Sequence, residues 1–331
     1  MSLSAELADE VVAITRAMAT DVTMRAVVGD PASSDTNAAS HKVDVTTAVE
    51  AAIEVFHEVE RSCTRFDPNS PLMRANTHPT RWHQVPPVLF EALVEASRAH
   101  EYTRGIFDPR VLVHLVALGY DRTLPFSTGS VETNRSLGAQ TPTSGIWRPR
   151  FRAASREVHL RGQPVELGGI GKGLAIRWAS ELLGKVAPNH LIEAGGDCFC
   201  AGRAPDDRAG WRIGIEDPLG GDEPVAVLRC EDRAVATSSI RVRRWTAGGR
   251  TVHHLIDPRT GRPGGGSLRA VTVVHRDPAV AEVWAKTLFL AGSDAIAALA
   301  RRRNLAAVWV DESSRTGHAP ASEAFLIWSR Q

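Results

Sequence analysis

No apolar stretch among the 331 residues approaches the roughly 20 residues that a membrane-spanning helix requires. Net charge is almost absent as well. The formal value is +1, so the sequence gives no reason to expect a nucleic acid or an anionic membrane surface as a partner. With 43% hydrophobic and 23% charged residues, the composition is typical of a soluble globular protein with a sizeable core.

Cysteine is scarce, and its positions argue against disulfides. The four cysteines are Cys63, Cys198, Cys200 and Cys230. Cys198 and Cys200 are too close for an easy mutual disulfide, and no pair has a zinc-site spacing. The N-terminal residues lack the apolar region of a signal peptide. We therefore expect reduced thiols in a cytoplasmic protein, although an exported protein whose signal segment had been removed would look the same.

Hydrophobic periodicity predicts an α+β fold in one domain, because no repeat and no clear linker divides the chain. Residues 29–40 and 122–145 are rich in small polar residues and predict loops. Helical spacing predicts helices over 4–18, 43–63, 86–102 and 171–187. Strands are predicted at 21–29, 189–194, 211–215, 225–229, 233–237, 269–276 and 305–312.

Two glycine-rich segments could approach a ligand closely. In ELGGIGKG (166–173) glycines surround Lys172 at the start of a predicted helix, which favours an anion site or simply a tight turn. Gly173 follows the lysine where a Walker A loop needs Ser or Thr, so this is not a Walker A loop. In EAGGD (193–197) the glycine pair permits either close ligand approach or a hairpin.

Two later segments carry hydroxyl and imidazole groups. VATSS (235–239) ends a predicted strand in Thr237, Ser238 and Ser239, which can bind phosphate or cap a turn. HHLIDPRTG (253–261) places His254 three residues before Asp257 at a sharp turn. A histidine there is catalytic or structural with about even weight.

The predicted helix in AEVWAKTLFLAG (281–292) has only two charged residues, Glu282 and Lys286. They are four residues apart and so lie on one side of a helix that is otherwise almost entirely apolar. They are either an ordinary Glu–Lys pair or part of an active site.

The order of these segments resembles that of the ApbE-like FAD:protein FMN transferases. Before ELGGIGKG, EAGGD, VATSS and HLIDPRTG come MATDVTMRAVV (18–28), CTRFDPNSPLMRAN (63–76) and GIFDPRVLVHLVALGYDR (105–122), each similar to a segment of that family. Met18 and Thr20 match the family's Met-Gly-Thr. The resemblance implies a single T-fold-related domain over 18–331, with mixed and antiparallel sheets and flanking helices. A helix over residues 1–17 would precede it.

Members of this family bind FAD and cleave its pyrophosphate with Mg²⁺. They transfer the FMN half to a threonine hydroxyl of an acceptor protein and release AMP. The resemblance therefore implies FAD as substrate, Mg²⁺ as cofactor and an acceptor protein as partner. Attack at phosphorus also needs a cation on the oxygens and an oriented nucleophile, which the segments above could supply.

The site residues follow from motif positions. His254 is the candidate for deprotonating or orienting the acceptor threonine, and Asp257 shares its turn. Glu166 stands where the family usually has Asp. The implied flavin-binding residues are Met18, Phe66, Ile106, Phe107, Asp108, Glu166, Lys172, Gly195, Gly196, Asp197, Thr237, Ser238 and Ile256.

The apolar helix matches the family's metal-binding helix, in which an Asp and a Thr hold Mg²⁺ with a backbone carbonyl, here that of Gly169. This chain has Glu282 for the Asp and Lys286 for the Thr. An ammonium has no lone pair to donate. Three hypotheses follow: Mg²⁺ still binds and Lys286 moves aside, Lys286 replaces the metal while paired to Glu282, or the pair is a remnant. A remnant pair would leave a flavin-binding protein without transfer activity. The expected function is an FMN transferase, and the alternative is an FAD-binding carrier or sensor or a slow FAD pyrophosphatase with an altered metal site.

Overall fold

The computed structural model describes residues 10–28, 38–126, 131–133, 142–143, 145–207 and 209–330. It is an α+β arrangement in which helices flank a large antiparallel sheet. Elements are numbered in chain order. The helices among the described residues are α1 (Ala38–Cys63), α2 (Pro71–Thr77), α3 (Pro87–Tyr102), α4 (Leu112–Ala117), α5 (Gly171–Leu183), α6 (Pro278–Ala291) and α7 (Ile296–Arg303).

The main sheet has eight strands, and every neighbouring pair in it is antiparallel. In spatial order they are β1 (Glu10–Ala17), β2 (Thr20–Val27), β7 (His190–Ala194), β8 (Asp197–Ala201), β11 (Arg233–Ser239), β16 (Leu268–His275), β17 (Ala306–Asp311) and β18 (Thr316–His318). The order brings β2 beside β7, although α1 to α5 lie between these two strands in the sequence.

Smaller sheets surround it. One contains β19 (Leu326–Ser329), β10 (Ala226–Cys230) and β9 (Trp211–Ile215). Another contains β13 (Arg250–His253), β12 (Arg244–Ala247) and β4 (Glu132–Thr133), with β12 and β4 parallel. The others are β14 (Ile256–Asp257) with β15 (Arg262–Pro263), and β3 (His83–Gln84) with β6 (Glu157–His159) and β5 (Arg150–Arg152).

Side-chain alternation along β11 shows how the main sheet is covered on both faces. Ala234 and Ala236 pack with Ala281 of α6, whereas Val235 lies in the cluster that includes Cys200 and residues of β9 and β10. Successive side chains of a strand point to opposite faces, so α6 lies on one face and the small sheet on the other. The alanines let α6 approach closely, and this brings its charged residues to the end of β11.

The predicted N-terminal helix is wrong over residues 10–17, which form β1 and pair with β2. Residues 1–9 lie outside the described part. Val11, Val12, Ile14 and Thr15 are β-branched and favour a strand, and their exposure alternates with period two. The apolar residues of β1 lie on both faces of this edge strand, and their spacing in the sequence therefore resembled that of a helix.

The other predicted elements are confirmed, with shifts at their ends. α1 begins at Ala38, five residues before the predicted start, and α5 ends at Leu183, before the predicted residue 187. Most of the predicted loops at 29–40 and 122–145 lies outside the described residues. All four cysteines are free and buried. Within the described part of the chain, no helix is both long enough and apolar enough to cross a membrane.

Candidate active site

The N-terminus of α5 packs closely against α6 because residue 173 is a glycine. A Cβ on Gly173 would come within 2.6 Å of the Ala279 Cα and the Pro278 carbonyl oxygen. The close approach lets Glu282 of α6 accept a hydrogen bond from the Gly173 N–H at 2.8 Å. Glu282 therefore caps a helix other than its own and adds negative charge at the positive end of the α5 dipole.

Lys172 joins this glycine loop to the main sheet. Its ammonium forms an ion pair with Asp197 of β8 and lies 3.8 Å from Glu282 Oε1. Asp197 also accepts the Thr237 N–H of β11 at 2.9 Å. Burial by itself lowers the pKa of Lys172, but Asp197 and Glu282 outweigh it, and the net pKa is raised. Lys172 is thus a fixed cation held by two carboxylates.

The glycine pair of EAGGD forms a hairpin. Gly195 and Gly196 connect β7 to β8 with φ values of +58° and +88°, which glycine adopts readily. A Cβ on Gly195 would lie 2.5 Å from the Thr20 hydroxyl, so the turn also packs tightly against β2. The hairpin prediction is confirmed, and the turn places Asp197 at its last position.

Two adjoining cavities lie around this network. The first, of about 480 Å³, is called the aromatic cavity, and its lining includes Met18, Val59, Arg65, Phe66, Tyr120 and Glu166. The second, of about 370 Å³, is called the polar cavity, and its lining includes Gly195, Gly196, Asp197, Thr237, Ser238, His254, Glu282 and Lys286. Ala19, Gly168, Lys172 and Arg243 line both cavities, which makes them the boundary between the two.

The aromatic cavity is lined by two aromatic rings and by one strained turn of the backbone. Arg65 lies 4.2 Å from the ring centroids of both Phe66 and Tyr120. Met18 and Ala19 connect β1 to β2 with φ values of +55° and +60°, which non-glycine residues adopt at a cost. Glu166 is buried, and its Oε2 accepts the Gly168 N–H at 2.8 Å.

His254 is the polar cavity's candidate base. Its Nδ1 is 3.3 Å from the Arg243 carbonyl oxygen, which can only accept, so Nδ1 carries the proton and Nε2 keeps a lone pair. Burial lowers the pKa of His254 well below its ordinary value, and the positive charges of Arg243 and Lys286 lower it further. The imidazole is therefore neutral near pH 7 and able to accept a proton.

Lys286 lies against the glycine loop. Its ammonium occupies the space that a Cβ on Gly169 would need, and it has no hydrogen-bonded or ion-paired partner among the described residues. Lys286 forms no ion pair with Glu282, so the interpretation of these two residues as an ordinary Glu–Lys pair is wrong. Burial lowers the pKa of Lys286, while Glu166 and Glu282 oppose this shift.

The residues at the expected metal position do not fit Mg²⁺. Glu282 already accepts a hydrogen bond from Gly173 and faces Lys172. The Lys286 ammonium stands at Gly169, whose carbonyl was the expected third ligand. In the described ranges, no group of three or more His, Cys, Asp or Glu side chains could hold a metal ion. Mg²⁺ needs a near-octahedral set of oxygen ligands, and a cation at this position opposes one.

Several predicted site residues line neither cavity. The carboxylate of Asp108 pairs with Arg110 at 2.7 Å, and that of Asp257 pairs with Arg259 at 2.8 Å. Ile106 and Ile256 pack in hydrophobic clusters, while Phe107 is buried beneath Gly169. These residues support the loops around the site, and their contact with a ligand stays a prediction.

Sequence reasoning missed three residues of the cleft. Arg243 lines both cavities, and Arg65 and Tyr120 line the aromatic one. The only signal for Arg243 was the basic run RVRR (241–244) directly after the hydroxyl segment. Arg177 of α5 bridges Glu95 at 3.1 Å and Asp277 at 2.7 Å, so its role is structural.

Comparison with known proteins agrees with this architecture. The model of the ApbE family matches residues 18–309. The FAD:protein FMN transferase of Chlamydia pneumoniae is 26% identical over 250 residues, covering 70% of this chain and 73% of the relative. That of Treponema pallidum is 30% identical over 240 residues, covering 64% and 62%.

Solved structures show the same fold. The crystal structure of the ApbE protein from Thermotoga maritima has a TM-score of 0.77 at 23% identity, covering 98% of this chain and all of the other. The flavin transferase ApbE from Vibrio cholerae has a TM-score of 0.75 at 21% identity, covering 96% of this chain. The fold and cleft define a flavin-transferase-like α+β protein. The chain belongs to the ApbE family.

Proposed function

We propose that this protein is an FAD:protein FMN transferase. The observation that carries the proposal is the polar cavity, where a neutral histidine, a carboxylate-held lysine and a glycine-rich loop converge. Such a set can hold an anionic substrate and accept a proton from a nucleophile. The ApbE-family relatives that carry this name span most of the chain.

The two cavities suit the two kinds of surface that FAD presents. One aromatic end of FAD would lie in the aromatic cavity against Phe66, Tyr120 and Met18. The diphosphate would lie at the boundary of the cavities, near Gly168, Lys172 and Arg243. The backbone N–H groups at the start of α5 favour a negative charge there.

The transfer step needs a hydroxyl, which we propose is that of a threonine in an acceptor protein. Its oxygen forms a bond to the phosphorus of the FMN half while the bridging P–O bond breaks. The hydroxyl proton passes to His254 Nε2, and the bond electrons leave with AMP. The Thr237 hydroxyl is already hydrogen-bonded to that of Thr272, its partner across β11 and β16, at 2.9 Å.

The test is incubation of the purified protein with FAD and synthetic threonine peptides, each beside its Thr→Ala counterpart. The expected result is a peptide mass increase equal to FMN less water, with one AMP released for each peptide modified. AMP without peptide modification would identify a pyrophosphatase instead. FAD binding with no AMP under any condition would identify a carrier or sensor, the alternative that Lys286 favours.

A further inference from the structure

Two cations in the cleft form no ion pair with a carboxylate among the described residues. The ammonium of Lys286 and the guanidinium of Arg243 make no ion pair among the described residues, and both line the polar cavity. Lys172, in contrast, is held by Asp197 and Glu282. Buried or half-buried cations without partners are costly, so their presence points to an anionic ligand.

Lys286 is held in place by its surroundings. α6 is buried on nearly every side, including Val283, Ala285 and Thr287, and this fixes the start of the lysine side chain. The ammonium at the end of the side chain occupies space that is free only because Gly169 has no Cβ. Any larger residue at Gly169 would displace the ammonium from the glycine loop. The buried helix and the glycine at 169 therefore allow the Lys286 side chain to reach the glycine loop.

We propose that Lys286, assisted by Arg243, neutralises the diphosphate of FAD in place of a divalent metal ion. The inference rests on the proposed function, because it takes FAD as the ligand. The diphosphate carries a double negative charge, which the two unpartnered cations match. An ammonium and a guanidinium donate charge-assisted hydrogen bonds to phosphate oxygens and need no metal ligands from the protein.

The same geometry opposes a metal ion. A divalent cation bound beside Glu282 and Gly169 would be repelled by the Lys286 ammonium, which lies against Gly169. Glu282 would also have to release the Gly173 N–H, which it accepts at 2.8 Å. Replacing Lys286 with threonine removes the ammonium and supplies a hydroxyl oxygen at the same position on α6.

The first experiment measures metal binding directly. Mn²⁺ is titrated into wild type, Lys286→Thr and Lys185→Met with FAD present, and free Mn²⁺ is followed by electron paramagnetic resonance. Lys185 is an exposed lysine after α5 and serves as the matched control. We expect wild type and Lys185→Met to bind no more Mn²⁺ than free FAD does, and Lys286→Thr to bind one further equivalent. One equivalent bound by wild type would overturn the inference.

The second experiment measures FAD affinity in EDTA by quenching of flavin fluorescence. Loss of a charge-assisted hydrogen bond should weaken binding about tenfold to a hundredfold in Lys286→Met, and similarly in Arg243→Met. Mg²⁺ should leave the wild-type affinity unchanged. Unchanged affinity in Lys286→Met, checked for folding by circular dichroism, would also overturn the inference. A wild type that binds FAD without metal but never transfers FMN would contradict the proposed function alone.

Discussion

At the scale of single residues, His254 is the group on which transfer depends. We expect His254→Gln to lower the rate of FMN transfer by about 10²- to 10⁴-fold, the usual contribution of a general base, with little change in FAD affinity. Transfer rate and fluorescence-monitored FAD binding are measured side by side. His318→Gln, in an exposed histidine of β18, is the matched control. Equal loss in both variants would remove His254 from the mechanism.

The pH dependence of transfer tests the electrostatics around His254. Because burial and the charges of Arg243 and Lys286 depress the pKa of His254, the base stays deprotonated below pH 6.5. The rate should therefore hold as pH falls past 6.5 and decline only at lower pH. Removing one positive neighbour in Lys286→Met should move this decline to higher pH. An acid limb centred at 6.5 or above in wild type would contradict the assignment.

The sequence predicted the residues that belong to contiguous motifs better than those that contact the cleft from elsewhere. Lys172, Asp197, His254 and Lys286 all line the polar cavity as their motifs suggested. Arg243 was missed, because its role depends on a strand turn that no local pattern indicates. Asp257 follows a motif, yet its carboxylate holds Arg259. Side-chain direction at a turn is fixed by tertiary packing, which spacing alone does not specify.

At the scale of elements, the contact between α5 and α6 sets the geometry of the site. Gly173→Ala would place a methyl group 2.6 Å from backbone atoms of α6, so the two helices must separate. We expect a loss of about 2–4 kcal/mol in the free energy of unfolding and weakened FAD binding, because Glu282 loses its partner. Urea unfolding measures the first and fluorescence titration the second.

A matched control separates the effect of this helix contact from the general effect of replacing a glycine with alanine. Gly221→Ala lies in a surface loop, where the added Cβ would be 3.5 Å from Asp217 Oδ2. Its stability should change by less than about 0.5 kcal/mol. A similar loss in both variants would show that the helix contact has no special role.

Prediction of elements succeeded where one periodicity dominated. α5 was recognised by its apolar spacing, and the strands of the main sheet by short β-branched runs; α6 was recognised instead by a long run that is apolar on almost every side. β1 failed because an edge strand with apolar residues on both faces has no clear alternation of its own. The pairing of β1 with β2 decides its conformation, and the local sequence of β1 alone does not indicate that pairing.

At the scale of the whole molecule, buried and half-buried histidines make stability depend on pH. Burial lowers the pKa of His100, His190, His253, His254 and His275, and for His253 the value falls from 6.5 to about 4. Between these two values the unfolded chain binds more protons than the folded protein. His253 alone should therefore contribute up to about 3 kcal/mol above pH 6.5, lost as pH falls to about 4.

Urea unfolding midpoints measured from pH 7 to pH 4 test this expectation. The free energy of unfolding should fall steadily over that range, and His253→Gln should make the fall less steep. A midpoint that does not change between pH 6.5 and pH 4 would contradict the expected protonation of these histidines on unfolding.

The pairing of β2 with β7 has a consequence for how the chain is made. Val22 pairs with Ala194, and Val22, Met24 and Ala26 are completely buried. During synthesis the hairpin of β1 and β2 leaves the ribosome long before its partner strand exists. An unpaired apolar strand edge invites association with other chains. We therefore expect the nascent chain to depend on chaperone protection until β7 emerges, and its folding to be slow because this contact is so distant in sequence.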